Sequence, residues 1–333
     1  MLFRSCVVTT TQIKPFAEKI DHLSSIFSIG SCFAENMANK LRSLKFRITS
    51  SPTGILFNPE SIALAIERLS AYNNGDVNAL PQREELQYAN GLWFHYDFHS
   101  SFSHSDANKA LEQMREAVKA GAEALKHADN VIITLGTALA YRHIDSGKIV
   151  ANCHKQPQRL FQREMLDIDA ISERYIKLCL NSLSDKRIIF TVSPIRHLSD
   201  GLEINSLSKA ILRVAIDKIA QHADNVAYFP SFEIMNDELR DYRFYADDMA
   251  HPTPLAINYI WERFAQASFS DKTSKLLARI EQIATDAAHR PFNPTSEAYK
   301  TFCAKNLERI EAINKEYPQL DFAEEKRHFS KYL

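Results

Sequence analysis

Glycine, long apolar runs and an excess of charge of either sign are all scarce in this chain of 333 residues. It has 40 lysines and arginines against 41 aspartates and glutamates, for a formal net charge of -1. A chain so close to neutral has no long-range field to attract nucleic acid or an anionic membrane, so we expect neither partner. No apolar run approaches the ~18 residues that indicate a membrane-spanning helix. The ordinary balance of hydrophobic and charged residues also excludes collagen-like, low-complexity and disordered classes.

Cysteine is also sparse, and its number is odd. Cys6, Cys32, Cys153, Cys179 and Cys303 form no C-x-x-C pair, so neither a disulfide framework nor a zinc ribbon is indicated. The first residues are not followed by an apolar segment, and the sequence therefore predicts no signal peptide. Together these features predict a reduced protein of the cytoplasm.

Short runs of β-branched and aromatic residues alternate along the chain with segments of helical periodicity. The predicted strands are SIFSI at 25–29, KFRIT at 45–49, VIITL at 131–135, RIIFTV at 187–192 and VAYF at 226–229. This alternation predicts an α/β fold in which a five-stranded parallel sheet is covered by helices on both faces. Two hairpins interrupt the pattern, with turns predicted at Asn90-Gly91 and Ser146-Gly147.

The C-terminal segment is strongly helical and follows the last predicted strand. We therefore divide the chain into an α/β domain at residues 1–269 and a helical extension at residues 270–333. Apolar residues of the extension, among them Leu276, Ile280 and Ile310, recur at helical spacing. Two roles fit this pattern: the extension packs back on the sheet, or it builds the interface of a homo-oligomer.

We expect the functional site at the ends of the predicted strands, because open parallel sheets bind ligands at the carboxyl ends of their strands. After the first strand, Gly30 permits a tight turn, and Ser31 and Cys32 lead into a helix. The N-terminus of a helix is expected to lower the pKa of a thiol and to stabilise an oxyanion. Cys32 is therefore a candidate nucleophile, although a small buried cysteine under the helix fits the same position.

A candidate general base follows the fifth strand. Asp248 and His251 form a D-x-x-H directly before Pro252, between a strand and a helix. An aspartate in this arrangement can fix the tautomer and orientation of a histidine that accepts a proton. Asp286 and His289 have the same spacing, but they lie in a helical stretch and indicate only a surface contact.

Polar residues also follow the third and fourth strands. Asn152 is a candidate oxyanion donor and His154 a candidate substrate contact, although a satisfied histidine in a polar turn is the favoured interpretation of His154. Arg196 and His197 are candidates to bind an anionic or polyhydroxy group, with pairing to Asp200 as the alternative. These residues extend the candidate site beyond the nucleophile and the base.

These segments resemble the GSCFA family of bacterial proteins, which is named after the motif at residues 30–34. Further stretches that resemble the family lie at residues 52–59, 134–137, 152–155, 191–194 and 243–252. The family is in turn similar to the SGNH (GDSL-like) hydrolases. That resemblance implies a flavodoxin-like three-layer fold with a nucleophile after the first strand and an Asp-x-x-His after the last.

The resemblance to SGNH hydrolases also implies roles for particular residues. Gly30 matches the glycine of their first block and Cys32 the nucleophile, while Ser31 stands where they have an aspartate. If the turn is shifted by one residue, Ser31 is the alternative nucleophile. Asp248 and His251 match the last block of the SGNH pattern.

The oxyanion hole of SGNH hydrolases is matched only in part. Gly54 is the match to the second-block glycine, whose backbone N–H helps to bind the oxyanion. The third block usually reads Gly-x-Asn-Asp, but residues 136–139 of this chain read GTAL and lack the asparagine. Asn152 or Asn58 would therefore have to supply that donor from a neighbouring loop.

The resulting expectation is an acyl-transfer enzyme, a hydrolase or acyltransferase that acts on a small-molecule or glycan ester or thioester without a metal or organic cofactor. A carbohydrate O-acyl group is one candidate substrate. The alternative is a non-catalytic protein that binds a glycan or metabolite on the same scaffold. A phosphoesterase with Asp247, Asp248, His154 and His251 as metal ligands ranks below both, because no tight metal-ligand spacing is present.

Overall fold

A computed structural model describes residues 9–333 of the chain. Residues 1–8, which include Cys6 and the segment on which the signal-peptide prediction rests, lie outside the described residues. Across residues 9–333, every helix is too short or too polar to reach from one side of a bilayer to the other.

Strands and helices alternate over most of the chain. The strands are β1 (Ser25–Gly30), β2 (Arg47–Ser50), β3 (Gln87–Ala89), β4 (Leu92–Phe94), β5 (Asn130–Leu135), β6 (Leu139–His143), β7 (Ile149–Val150), β8 (Phe161–Met165), β9 (Arg187–Val192) and β10 (Val226–Phe229). The helices are α1 (Cys32–Ser43), α2 (Pro59–Asn73), α3 (Ala107–Lys126), α4 (Ile168–Leu180), α5 (Gly201–His222), α6 (Ser231–Glu233), α7 (Pro254–Ser268), α8 (Asp271–Ala288), α9 (Glu297–Glu316) and α10 (Ala323–Ser330).

The central sheet has five parallel strands in the order β10-β9-β5-β1-β2. Numbered along the chain, this order is 2-1-3-4-5, which is that of flavodoxin-like folds. The register pairs Gly30 with Thr134 and Leu135 with Val192, so three strands end at the same edge. The predicted fold class is therefore confirmed, and the carboxyl ends of β1, β5 and β9 lie side by side.

Helices cover both faces of the sheet because alternate strand residues point to opposite sides. Val131 and Ile133 of β5 pack in one core, whereas Ile132 between them packs in the other. The first core holds apolar side chains of α2, α3, α4 and α5. The second core holds those of α1, α7 and the C-terminal helices, which completes a three-layer arrangement.

The C-terminal helices pack back on the α/β part of the molecule. Leu276 of α8, Ile310 of α9 and Phe329 of α10 share the second core with Ile26 of β1. An ion pair of 2.6 Å between Lys45 and Glu325 ties α10 to the segment before β2. The first of the two predicted roles is thus what these helices do within one chain, and a homo-oligomer stays a prediction.

Two small antiparallel sheets are inserted into the α/β pattern. Strands β3 and β4 form the predicted hairpin, with Asn90 and Gly91 both at positive φ. Gly147, also at positive φ, lies in the predicted turn between β6 and β7. The sequence did not predict β8, which pairs with β6 to make a three-stranded sheet. The reason is that Gln162, Arg163 and Glu164 interrupt its apolar alternation.

Candidate active site

The turn after β1 explains why glycine precedes the candidate nucleophile. Gly30 has a φ of +141°, and a Cβ built there would lie 2.1 Å from the carbonyl oxygen of Thr134. Only glycine lets the end of β1 approach β5 so closely. The Ser31 N–H then donates to the same carbonyl of Thr134 at 3.2 Å, and α1 begins at Cys32. Cys32 therefore lies in the first turn of a helix, where backbone N–H groups lack intrahelical acceptors.

The structure distinguishes between the two candidate nucleophiles. Ser31 is 1% exposed, and its hydroxyl is buried without a hydrogen-bond partner among residues 9–333. Cys32 is half-buried and lines a cavity. The geometry thus places Cys32, and not Ser31, on the wall of that cavity.

The protonation of Cys32 differs from the prediction. We expected the helix N-terminus to lower the pKa of this thiol, but burial raises it above the ordinary value of 9.0. Burial dominates because removing a thiolate from water costs more than the helix end returns. The expectation of a lowered pKa is therefore wrong, and a reaction at Cys32 needs a base to remove the proton.

The D-x-x-H segment has the geometry of such a base. The Nδ1 of His251 lies 2.5 Å from Oδ2 of Asp248, whose Oδ1 accepts the backbone N–H groups of Ala250 at 3.0 Å and His251 at 2.9 Å. Those N–H groups and the imidazole lower the pKa of the Asp248 carboxyl to about 2. The ionised carboxylate is placed to accept a proton from Nδ1, which leaves Nε2 of the ring to accept another.

Cys32 and His251 line the same cavity of about 600 Å³. They are separated by more than two hundred residues in sequence, and the parallel sheet brings them to one edge. The three-stranded insertion contributes Tyr141, Phe161 and Arg163 to the wall of this cavity. A volume of this size suits a small organic ligand.

Asn58 is the predicted oxyanion donor that the structure supports best. It is the N-cap of α2, and its Oδ1 accepts the backbone N–H of Ser61 at 2.8 Å. Asn58 also lines the cavity with Cys32. Because Oδ1 is held by the cap, the orientation of the side-chain amide is fixed.

Gly54 does not have its predicted role. Its N–H donates to the carbonyl of Ser51 at 2.8 Å and closes a turn, so it is not free for an oxyanion. A Cβ at Gly54, which has a φ of +90°, would lie 2.1 Å from Cβ of His99. The glycine is needed for this turn and for its contact with His99.

The residues of the β7–β8 loop divide between the cavity and the protein interior. Asn152 lines the cavity, and its Oδ1 accepts the N–H of His154 at 2.7 Å. His154 is not among the cavity-lining residues: it stacks on Phe94 at 4.3 Å, and its Nε2 lies 2.9 Å from the carbonyl of His95. Its predicted contact with substrate is therefore replaced by a structural role.

Arg196 and His197 line the cavity, and their binding of an anionic or polyhydroxy group stays a prediction. The guanidinium of Arg196 lies 3.7 Å from the ring centroid of Tyr245. The backbone N–H of Arg196 donates to the carbonyl of Ala250 at 3.1 Å. Burial and the charge of Lys209 lower the pKa of His197 to about 4, so the ring is neutral at neutral pH. The predicted alternative fails, because Asp200 pairs with Arg163 rather than with Arg196.

With the geometry established, comparison with known proteins identifies the family. The GSCFA family profile matches residues 25–264, and the profile of the GSCFA domain protein, C-terminal domain, matches residues 280–333. The chain belongs to the GSCFA family. No curated protein matches it.

In this GSCFA protein, one face of α5 holds the ends of β5 and β9 in place. Asn205 Oδ1 accepts the N–H of His197 at 3.0 Å, and Ser208 Oγ accepts the N–H of Ala138 at 2.7 Å. Lys209 Nζ donates to two carbonyls of the same loops, those of Gly136 at 2.5 Å and Ser193 at 2.7 Å. These residues were not predicted from the sequence, although polar side chains at positions 205, 208 and 209 of an amphipathic helix were a visible signal.

The metal-dependent alternative lacks a ligand set in this GSCFA protein. Within residues 9–333, no group of three or more His, Cys, Asp or Glu side chains could hold a metal ion. The physical reason is that Asp248 is bound to His251, while His154 stacks on Phe94 away from the cavity. The predicted ligands are thus not brought together.

Proposed function

We propose that this GSCFA protein is an acyl-transfer enzyme, an esterase or acyltransferase of the SGNH type, with Cys32 as its nucleophile. One observation carries the proposal: Cys32 and His251 line one cavity, and Asp248 holds the imidazole at 2.5 Å. Nucleophile, base and orienting carboxylate are the three parts that this chemistry needs.

The reaction starts with a neutral thiol, because burial raises the pKa of Cys32. His251 accepts the thiol proton at Nε2 as the sulfur bonds to the acyl carbonyl carbon. The bond from that carbon to the leaving alcohol or thiol then breaks, and His251 returns the proton to the leaving group. Water or an acceptor alcohol then attacks the thioester carbon, and His251 takes its proton. The carbon–sulfur bond breaks, the acid or new ester leaves, and His251 returns the proton to the sulfur of Cys32.

The negative oxygen of the tetrahedral intermediate needs donors at the start of α1 and α2. The backbone N–H of Cys32 and the side-chain amide of Asn58 are the groups that we assign to it. Asn58 thereby takes the place of the asparagine that the third block lacks. Removal of one such donor typically lowers the rate ~10²–10³-fold.

The cavity wall favours a neutral substrate with hydroxyl groups, such as a carbohydrate O-acyl ester. Asn152, Gln156 and Gln158 contribute amides, and Tyr141 and Phe161 contribute aromatic surface. Arg163 is neutralised by Asp200. Amides and aromatic faces suit a small polar ligand without a net charge.

We also propose a cytoplasmic, bacterial protein. Over the described residues, Cys32, Cys153, Cys179 and Cys303 are all free thiols, as is usual in a reducing compartment. The bacterial source is what the GSCFA resemblance implies. A homo-oligomer through the C-terminal helices remains part of the same proposal.

The second candidate is a non-catalytic protein that binds a glycan or metabolite. The observation that favours it is the raised pKa of the Cys32 thiol, which is unusual for a nucleophilic cysteine. Such a protein would keep the cavity and its amides but would turn over no ester.

Steady-state assays with p-nitrophenyl esters and O-acetylated sugars separate the two candidates. The enzyme predicts turnover that is abolished by Cys32→Ala and by His251→Asn. Cys153→Ala, which removes a second thiol of the same cavity, is the matched control and should retain activity. Binding of the sugars without turnover, or full turnover by Cys32→Ala, would reject the proposed mechanism.

A further inference from the structure

A second cavity, of about 560 Å³, lies apart from Cys32 and His251. The three-stranded insertion forms a wall between the two cavities. Tyr141 of β6 lines the cavity of Cys32, the next residue, Arg142, lines the second cavity, and Val150 of β7 lines both. The volume of the second cavity falls in the range of small-molecule sites, and the proposed reaction does not use it.

Arginines of the second cavity are held rigidly by carboxylates. Arg68 donates to Asp97 at 2.8 Å. Arg142 makes two parallel hydrogen bonds to Glu164, at 3.0 and 2.5 Å. Such pairs fix the planes of both partners. Each carboxylate oxygen that accepts from an arginine still has a lone pair with which it can accept the hydroxyl of a ligand.

The balance of charge around the second cavity disfavours an anionic ligand. Arg174 donates to Glu67 at 3.0 and 2.6 Å and also contacts Glu60. Lys148 and Glu85 line the cavity as well. The lining residues and the direct partners of their arginines thus contain four cationic side chains and five carboxylates. An arriving phosphate or carboxylate finds no net positive charge, whereas a neutral ligand needs none.

His95 adds a buried hydrogen-bond donor to the second cavity. It is 5% exposed, and its Nδ1 accepts the backbone N–H of Asp97 at 3.0 Å, so the ring carries its proton on Nε2. This Nε2 has no hydrogen-bond partner among residues 9–333 and lies 3.6 Å from Oε2 of Glu85. A hydroxyl group can accept from Nε2 and donate to the carboxylate at the same time.

The remaining wall of the second cavity offers aromatic and aliphatic surface, from Tyr96, Leu64 and Ile149. Fixed donors and acceptors therefore lie beside an apolar surface. A sugar has the matching chemistry, because its hydroxyl groups both donate and accept while its C–H groups pack against apolar side chains.

We propose that the second cavity is a ligand site for a neutral sugar. The Arg68–Asp97 pair, Glu85 and His95 bind its hydroxyl groups, and Tyr96 packs against its ring. The site is independent of the proposed acyl transfer, since it shares only the wall formed by the insertion with the cavity of Cys32.

NMR of the histidine rings tests the proposal, because His95 lines the second cavity and His251 the cavity of Cys32. Their signals are assigned by their loss in His95→Gln and His251→Asn. The probes are glucose, galactose and N-acetylglucosamine, with glucuronic acid and glucose 6-phosphate as anionic counterparts. We expect at least one neutral sugar to shift the His95 signal saturably and to bind more tightly than both anionic sugars.

A matched pair of variants assigns the binding to the second cavity. Glu85→Gln should weaken the binding of that sugar about tenfold or more, because a charged acceptor is lost. Its amide oxygen can still accept the N–H of Gln82, which Glu85 accepts at 2.8 Å. Glu84→Gln, at the exposed neighbour outside the cavity, should bind like the wild type. Tyr96→Leu, which removes the aromatic surface, should also weaken binding and provides the test if Glu85→Gln does not fold.

Three results would overturn the proposal: no shift of His95 with any of the neutral sugars, equal affinities for Glu85→Gln and Glu84→Gln, or tighter binding of an anionic sugar. A shift confined to His251 would place the sugar in the cavity of Cys32 alone and would also reject the second site. A saturable shift of His95 in a protein that turns over no ester would support the second site and reject only the enzymatic function.

Discussion

Asp248 holds His251 through both oxygens of its carboxylate, one on the imidazole Nδ1 at 2.5 Å and the other on the backbone N–H at 2.9 Å. The turn between them requires a positive φ at Met249. A fixed ring with an ionised partner is what a general base needs. The pair bears on Cys32 because the same loop places His251 on the wall of the cavity that Cys32 also lines.

Replacement of Asp248 by asparagine should reduce the rate of ester turnover by about 10⁴-fold, because the wrong tautomer of His251 would face Cys32. The remaining oxygen can still accept the N–H groups of Ala250 and His251, so we expect the fold to survive. The measurement is kcat with a p-nitrophenyl ester. Asp241→Asn is the control. Oδ1 of Asp241 accepts the backbone N–H of Arg243 in another exposed turn, and this variant should retain wild-type kcat. Equal rates for the two variants would contradict the role of Asp248.

Iodoacetamide labelling should follow the thiol pKa values. Burial raises the pKa of Cys32 above 9.0, that of Cys153 to about 11 and that of Cys179 to about 12. Only the thiolate reacts, so labelling of Cys32 should be slow at neutral pH and should rise about tenfold per pH unit towards its pKa. Peptide mass spectrometry should find Cys32 labelled before Cys153 and Cys179. A labelling rate for Cys32 that is already maximal at pH 7 would show a preformed thiolate instead.

Two substitutions at Asn58 separate its cap from its proposed catalytic donor. Serine caps a helix about as well as asparagine, so Asn58→Ser should keep the stability of α2 while turnover falls ~10²–10³-fold. Asn58→Ala should show the same loss of turnover and also a loss of about 1 kcal/mol in the free energy of unfolding. Urea denaturation and kcat together give both quantities. Full turnover by Asn58→Ser would remove Asn58 from the oxyanion hole.

Alanine at Gly30 should destabilise the protein by more than about 3 kcal/mol, because strain and a steric clash add together. The new Cβ would lie 2.1 Å from the backbone oxygen of Thr134, which cannot move without displacing β5. Gly147→Ala is the matched control: φ is +65° there, but nothing lies within 4 Å of the new Cβ. It should cost only about 1 kcal/mol. Similar denaturation midpoints for the two variants would contradict this account of the turn.

The sequence predicted the central sheet well because its strands are local runs of β-branched and aromatic residues. The order of those strands also follows from known rules for such folds. Other elements carried weaker local signals. Polar residues interrupt β8, and its local signal is therefore weak.

The candidate site was predictable in its position and less so in its hydrogen bonds. Cys32 and His251 follow strands, and the topology alone brings strand ends together. Whether His154 faces a cavity depends on partners that are distant in sequence, namely Phe94 and His95. The raised pKa of Cys32 likewise depends on how deeply the folded protein buries it, which no motif reveals.

The central claim is that Cys32 is the nucleophile. It is tested most directly by mixing the wild-type protein with p-nitrophenyl acetate, quenching the reaction rapidly and analysing the peptides by mass spectrometry. We predict one acetyl group on the peptide that contains Cys32, absent in Cys32→Ala and formed far more slowly in His251→Asn. Release of p-nitrophenol with no acetyl group on Cys32 at any time, or with the acetyl group on Ser31, would contradict the account.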